Sequence, residues 1–136
     1  MITTEQDTKR NTDFILNQWV PALRSGKYRQ GFTVLHAPND TYCCLGVACD
    51  LIANDETVPG VIREVAIDGM EPTSGREYLP TPVARFIGIG VKGEGISPSL
   101  DDYGSWASLS EANDDLVPFA DLADALEADA RQQLDS

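Results

Sequence analysis

CCLGVACDLIA, residues 43–53, decides the fold of this chain. Nearly every residue in the stretch is apolar, yet at 11 residues it is too short to span a bilayer. A helix that is apolar all round has to be buried, so the stretch predicts a central helix with other elements packed around it. Asp40 or Thr41 can cap its start. Gly46 weakens a helix, which indicates that another backbone approaches closely there.

Helical patterns lie on both sides of this central stretch. Before it, a helix is predicted from Asn11 or Thr12 onward, and Pro21 predicts a kink or an early end. After it, Thr81 and Pro82 begin a short helix that ends at Gly88. Apolar side chains at helical spacing support these helices and a last one that begins at Pro118. They are Ile15, Trp19 and Leu23 in the first helix, and Phe119, Leu122, Ala123 and Leu126 in the last.

Two apolar stretches predict β-strands. Residues 31–37, GFTVLHA, are rich in β-branched and aromatic side chains between a glycine and the turn PND. Residues 61–67, VIREVAI, run into Asp68-Gly69, a pair typical of a two-residue hairpin turn. The return strand is placed around 76–79.

The whole pattern predicts one α+β domain over residues 11–136, preceded by a flexible N-terminus, residues 1–10. The domain is expected to have a central buried helix, several surrounding helices and a short antiparallel sheet. Residues 88–107 are rich in glycine and are predicted to form a mobile loop. Ser108 and Glu111 match the capping box of a further helix.

The charge is strongly negative, with a formal net of −12. Residues 101–136 contain ten acids and Arg131 as their one cation. Such a field disfavours direct binding to nucleic acid or to an anionic membrane and favours a basic protein partner. The polar start and the lack of a long apolar run predict a cytoplasmic protein. Oligomers remain open, and no cofactor is predicted.

The three cysteines suggest a catalytic hypothesis. Cys43 or Cys44 lies at the start of a helix, where the helix dipole favours a thiolate, and His36 is the one histidine that can act as base. The structural alternative is that these thiols simply belong to the core, where free cysteine is usually found. Zinc ligation is disfavoured because the spacing typical of structural zinc sites is absent. The sequence therefore predicts no metal and leaves an enzyme unproven.

Cations gather at one place, in LRSGKYRQ, residues 23–30, which contain Arg24, Lys27 and Arg29. Cations after a helix end favour the helix dipole, which is a purely structural explanation. Tyr28 and Gln30 lie among them and add a stacking face and a paired donor and acceptor. That set of groups suits an anionic, nucleotide-like ligand.

Four stretches in order carry a resemblance to a known family. They are LRSGKYRQG at 23–31, YCCLGVACDL at 42–51, LPTPVARFIGI at 79–89 and LSEANDDLVPFADLADALE at 109–127. The chain resembles a family of small uncharacterised proteins of bacteriophages and prophages. The resemblance implies ligand-binding roles for matching polar positions near the start of the central helix. These positions are Arg24, Ser25, Tyr28, Gln30, Asn113 and Asp114.

The resemblance also sets the functional hypotheses. A phage accessory protein in the host cytoplasm is expected to inhibit host antiviral defence. The first hypothesis is a non-enzymatic binder that sequesters a nucleotide-type small molecule or a host defence protein. The alternative is an acidic decoy that mimics nucleic acid and blocks the basic groove of a defence protein. The third is a cysteine hydrolase built on Cys43 or Cys44 with His36.

Overall fold

The fold is described from a computed structural model that covers residues 9–100 and 104–135. Six helical segments and one strand pair follow one another along these residues. The first segment, α1, is continuous and consists of Thr12–Phe14, the π-helical turn Ile15–Trp19 and Val20–Arg24. The other elements are α2 (Cys44–Ala53), α3 (Gly60–Gly69), a 3₁₀ turn (Pro72–Ser74), α4 (Thr81–Ile87), β1 (Ser99–Leu100), β2 (Gly104–Ser105), α5 (Leu109–Asp114) and α6 (Phe119–Leu134).

The central helix is confirmed. Along α2 the side chains of Cys44, Leu45, Val47 and Ile52 have no exposed surface. α1, α3 and α5 pack against α2, and α6 packs against α1 and α5. A Cβ added at Gly46 would overlap the carbonyl oxygen of Leu35, so the predicted close approach of another backbone is also confirmed.

The first helix continues through Pro21 instead of ending before it. The Asn11 side chain caps the start, accepting a bond from the N–H of Phe14 at 3.2 Å. The π-helical turn lies directly before the proline, which occupies an early position of the next α-helical turn. Proline has no N–H to donate, so the regular α-helical bonding pattern cannot pass through Pro21, and the change from π-helical to α-helical bonding falls at this point.

The prediction of a strand at 61–67 is wrong, because these residues form α3. The predicted hairpin turn at Asp68-Gly69 is the last part of that helix, and residues 76–79 form no strand. β-Branched residues favour strands only where packing agrees. Here Ala66 and Gly69 lie on one helical face and are buried, which selects the helix.

The prediction of a strand at 31–37 is also wrong. The segment is irregular; His36 within it and Gln30 just before it form isolated bridges with Tyr42. Thr33 has a φ angle of +76°, a left-handed conformation that interrupts any extended strand. Leu35 is nevertheless fully buried and donates its N–H to the carbonyl of Arg76.

The strand content is therefore smaller than an α+β domain implies. β1 and β2 pair antiparallel, with Ser99 opposite Ser105, inside the glycine-rich segment that was predicted to be a loop. The fold is a small, mostly helical single domain with one short strand pair. No helix within 9–100 and 104–135 is long and apolar enough to cross a membrane.

Most of the predicted flexible N-terminus, residues 1–10, cannot be compared with the structure, because residues 1–8 lie outside the described part of the chain. Arg10 belongs to the folded domain. Its Nε forms an ion pair with Asp129 at 2.9 Å, and its guanidinium also donates to the carbonyls of Gly88 and Gly95. The domain thus begins before α1.

Candidate functional site

Three separate parts of the chain meet where the sequence predicts a common site. The side-chain amide of Gln30 donates to Asn113 Oδ1 at 3.0 Å, and the backbone N–H of Cys44 donates to the same oxygen at 3.1 Å. Asn113 Nδ2 donates to the carbonyl of Gly31 at 2.9 Å. The segment after α1, the start of α2 and the end of α5 are therefore held together. Residues 30–33 and 113–117 are called the corner below.

Within the corner, Gln30 and Asn113 act as helix caps. Asn113 supplies an acceptor to the first N–H of α2, where the Cys43 side chain makes no capping bond. The predicted caps of α2, Asp40 and Thr41, are wrong. Gln30 Oε1 accepts from the N–H of Phe119, the first residue of α6, at 3.2 Å. Because Asn113 has no exposed surface, its amide serves the fold in this conformation.

Arg24 is directed at the last helix. Its Nη2 lies 2.6 Å from Asp124 Oδ1 and 3.3 Å from Glu127 Oε1, both on α6. The hydrogen bond that Arg24 donates to Asp124 is the largest of the effects that raise the pKa of Arg24 above its ordinary value. The neighbouring Ser25 donates its hydroxyl to the carbonyl of Ala22 at 2.7 Å. A bound phosphate would therefore compete with two carboxylates for this guanidinium.

Tyr28 lies apart from the corner and faces α2. Its hydroxyl donates to Asp50 Oδ2 at 2.6 Å, and burial together with this bond raises the pKa of the phenol. A hollow of about 600 Å³ adjoins the ring and is lined by Asp50, Asp55 and Glu56 among others. Carboxylates on its wall disfavour an anionic ligand there.

The thiols have the properties of core residues. Cys43 is 5 % exposed, and burial raises its pKa to about 11. Burial also raises the pKa of Cys44 and brings that of Cys49 to about 12. A raised pKa means less thiolate at neutral pH, which is the reverse of an activated nucleophile.

His36 is engaged elsewhere. Its Nδ1 lies 2.9 Å from the carbonyl oxygen of Met70 and its Nε2 lies 2.9 Å from Asp40 Oδ1. The ring stacks on Tyr42 with centroids 4.3 Å apart. With both ring nitrogens paired in this way, His36 is not set up as a base for a thiol. In the described part of the chain, no group of three or more His, Cys, Asp or Glu side chains could hold a metal ion.

The outer part of the corner exposes two apolar side chains and has left-handed backbone at two positions. Phe32 is 44 % exposed and Leu116 is 70 % exposed. The N–H of Thr33, which follows Phe32 in the chain, donates to Asp114 Oδ1 at 2.8 Å. Thr33 and Leu116 both have left-handed φ angles, +76° and +72°. Such conformations cost about 1–3 kcal/mol each outside glycine, and they concentrate at functional sites.

Next to the corner lies a hollow of about 390 Å³, called the aromatic hollow below. Its walls include Tyr78, Lys92, Trp106, Glu111, Asp114 and Asp115. The indole N–H of Trp106 donates to Asp115 Oδ2 at 2.8 Å, which fixes the orientation of the ring. Lys92 Nζ lies 5.2 Å from the centre of the Tyr78 ring. The hollow thus combines two aromatic rings with three carboxylates and one ammonium group.

Sequence analysis identified Asp114 but missed the side chains around it. A signal for Trp106 was present, since a tryptophan in a polar, glycine-rich segment has no obvious core to join. Phe32 was assigned to a strand, which hid its exposure. No sequence signal marks Leu116, because leucine rarely adopts a left-handed conformation.

Fold and site together define a small helical domain whose polar corner is closed by interlocked side-chain amides. The chain belongs to the family described as Domain of unknown function (DUF8296), whose family model matches residues 12–130. The matched range contains α1 to α5 and most of α6. No match was found among curated proteins or among solved structures.

Proposed function

We propose that this protein is a non-enzymatic binding protein that sequesters a basic protein partner through the corner. One observation carries the proposal: the corner exposes the apolar side chains of Phe32 and Leu116. Leu116 itself and Thr33, the residue after Phe32, have left-handed backbone, and the exposed carboxylates of Asp114 and Asp115 belong to the same corner. Exposed apolar side chains rimmed by charge are typical of protein interaction sites. The resemblance to phage and prophage proteins favours a host defence protein as the partner.

A protein partner is favoured over a nucleotide-like ligand because of where the polar groups point. The guanidinium of Arg24 is paired with Asp124 and Glu127, and the amides of Gln30 and Asn113 are paired with backbone groups. The exposed charge of the corner comes from carboxylates, which repel phosphate. A basic surface on a protein satisfies both the carboxylates and the apolar side chains.

The corner is also favoured over the last helix as the acidic contact surface. On α6, Glu127 accepts from Arg24 and from Arg131 at 3.2 Å, while Asp129 pairs with Arg10. These cations reduce the negative charge that a nucleic-acid mimic needs on that face. At the corner, the exposed side chains of Phe32 and Leu116 add an apolar contact surface, which a simple phosphate mimic does not require.

The experiment uses affinity capture from phage-infected bacteria, followed by native mass spectrometry and a binding measurement with the purified partner. The variants are Phe32→Ser and Leu116→Gly, which alter exposed side chains. Val61→Ser is the matched control, because Val61 is also 70 % exposed but lies on α3. We expect a basic partner whose affinity falls at least about tenfold in the corner variants, as for contact residues at the centre of an interface. Retention of a nucleotide, or equal loss in the control, would refute the proposal.

A further inference from the structure

We infer that the aromatic hollow is a receptor for a single arginine side chain, presented by the basic partner protein. This inference rests on the proposed function and names the chemistry that recognises the partner. The hollow has room for a side chain, and its polar wall groups are mostly carboxylates. Among its wall residues, Asp114 is the one to which the family resemblance gave a ligand-binding role.

The geometry of Trp106 supports a planar cation. The indole is tied by its N–H to Asp115 Oδ2, so the ring is held in place before any ligand arrives. An aromatic face attracts a guanidinium by cation–π contact and by stacking. Asp114 lies beside Asp115 in the same wall, so a guanidinium over the ring can reach carboxylate oxygens with its N–H groups.

Lys92 places one cation of the chain itself in the hollow. Its ammonium group lies over the Tyr78 ring at 5.2 Å, and its own backbone N–H donates to Glu94 rather than to the hollow. An incoming arginine would meet this like charge. Lys92 is therefore a competitor within the chain, and removing its charge should strengthen binding of a cation. For an anionic ligand the same change would weaken binding, so the sign of the effect identifies the ligand class.

The test uses the peptide acetyl-Gly-Arg-Gly-amide, with the neutral citrulline peptide as its matched control. Binding is followed by NMR through the indole N–H signal of Trp106. Trp19, the other tryptophan, is fully buried with its N–H bonded to the carbonyl of Cys44, and it provides an internal reference. We expect the arginine peptide to shift the Trp106 signal saturably, and the citrulline peptide and AMP to leave it in place.

Three variants sharpen the test. Asp115→Asn keeps an acceptor for the indole but removes the charge, and it should weaken peptide binding by about tenfold, the worth of one charge-assisted hydrogen bond. Asp114→Asn should act in the same direction while still accepting from Thr33. Lys92→Met should tighten binding. Glu64→Gln, an exposed acid on α3, controls for net charge and should change little.

Equal shifts from arginine and citrulline peptides, or weaker peptide binding in Lys92→Met, would overturn the inference. A shift caused by AMP would overturn it as well. Circular dichroism confirms that each variant is folded. Failure here is distinct from failure of the proposed function, since that depends on partner affinity in the Phe32 and Leu116 variants. If the partner is lost from those variants but still binds Asp115→Asn normally, the corner stands as the binding surface and the arginine receptor is refuted.

Discussion

Replacing Asn113 by alanine tests whether the corner is held by interlocked amides. The substitution leaves two buried backbone groups without partners, the N–H of Cys44 and the carbonyl of Gly31. Each buried orphan costs about 1–3 kcal/mol, so the free energy of unfolding should fall by about 2–6 kcal/mol. The total free energy of unfolding of a native domain is about 5–15 kcal/mol, so this loss is a large share of the stability.

Urea denaturation measures this loss directly. With a slope of about 1–3 kcal/mol per molar urea, the midpoint should fall by about 2 M while the slope stays unchanged. The control is Asn54→Ala, since the Asn54 side chain also donates to a carbonyl, that of Asp50, but is exposed. Its expected effect is about 0.5 kcal/mol or less.

A double-mutant cycle with Gln30→Ala completes the measurement. Gln30 and Asn113 share a hydrogen bond of 3.0 Å, so their effects should be coupled by about 0.5–3 kcal/mol. Suppose instead that Asn113→Ala shifts the midpoint no further than Asn54→Ala does. Asn113 would then not be a structural cap, and the hypothesis that it binds a ligand would be favoured again.

Three further predictions concern single sites. Gly46→Ala should destabilise the protein by about 2 kcal/mol or more, because the added methyl group would overlap the Leu35 carbonyl. Gly60→Ala is the control, because Gly60 has open space around it and the substitution should not destabilise the protein. Equal urea midpoints for the two variants would contradict this prediction. Leu116→Gly should raise the free energy of unfolding by about 0.5–1 kcal/mol in thermal melts, because it relieves a left-handed leucine whose side chain buries little; a lower melting temperature would refute the strain. Burial raises the pKa of Cys43 to about 11 from 9.0, so the unfolded chain loses this proton first, and the free energy of unfolding should fall as the pH rises from about 9 to 11. For the same reason, Cys43 should react with iodoacetamide at pH 8 far more slowly in native protein than in urea. Equal rates would disprove its burial.

The helices that bury an apolar face could be predicted from the sequence. The α2 stretch is apolar all round and the α6 stretch is apolar on one face, and both patterns leave only one way to hide the side chains from water. Of the two residues predicted at the start of α1, Asn11 and Thr12, Asn11 is the one that caps it. In each case the deciding information is local, within a few turns of one helix.

The two predicted strands failed because their deciding information is not local. Residues 61–67 have β-branched side chains that suit either a strand or a helix, and packing against α2 selected the helix. Residues 31–37 depend on Thr33, whose left-handed backbone is held by Asp114 from 81 positions away. No window of sequence contains both partners.

The candidate site was predicted in its location more than in its chemistry. Gln30 and Asn113 do meet at the start of α2, but their amides are used as caps. Arg24 was expected to bind an anionic ligand, but its guanidinium is paired with carboxylates of α6. The exposed side chains that now define the corner, Phe32 and Leu116, owe their exposure to tertiary contacts that propensity does not encode.

The bond between Gln30 and the start of α6 has a consequence for synthesis of the chain. Phe119 follows Gln30 by 89 positions, so the ribosome needs roughly 5 to 20 s to supply the second partner after the first. Until α5 and the start of α6 have been synthesised, Gln30 lacks this partner and α2 lacks its contacts with α5. The bond that joins the segment after α1 to the start of α6 can therefore form only after most of the chain has been synthesised.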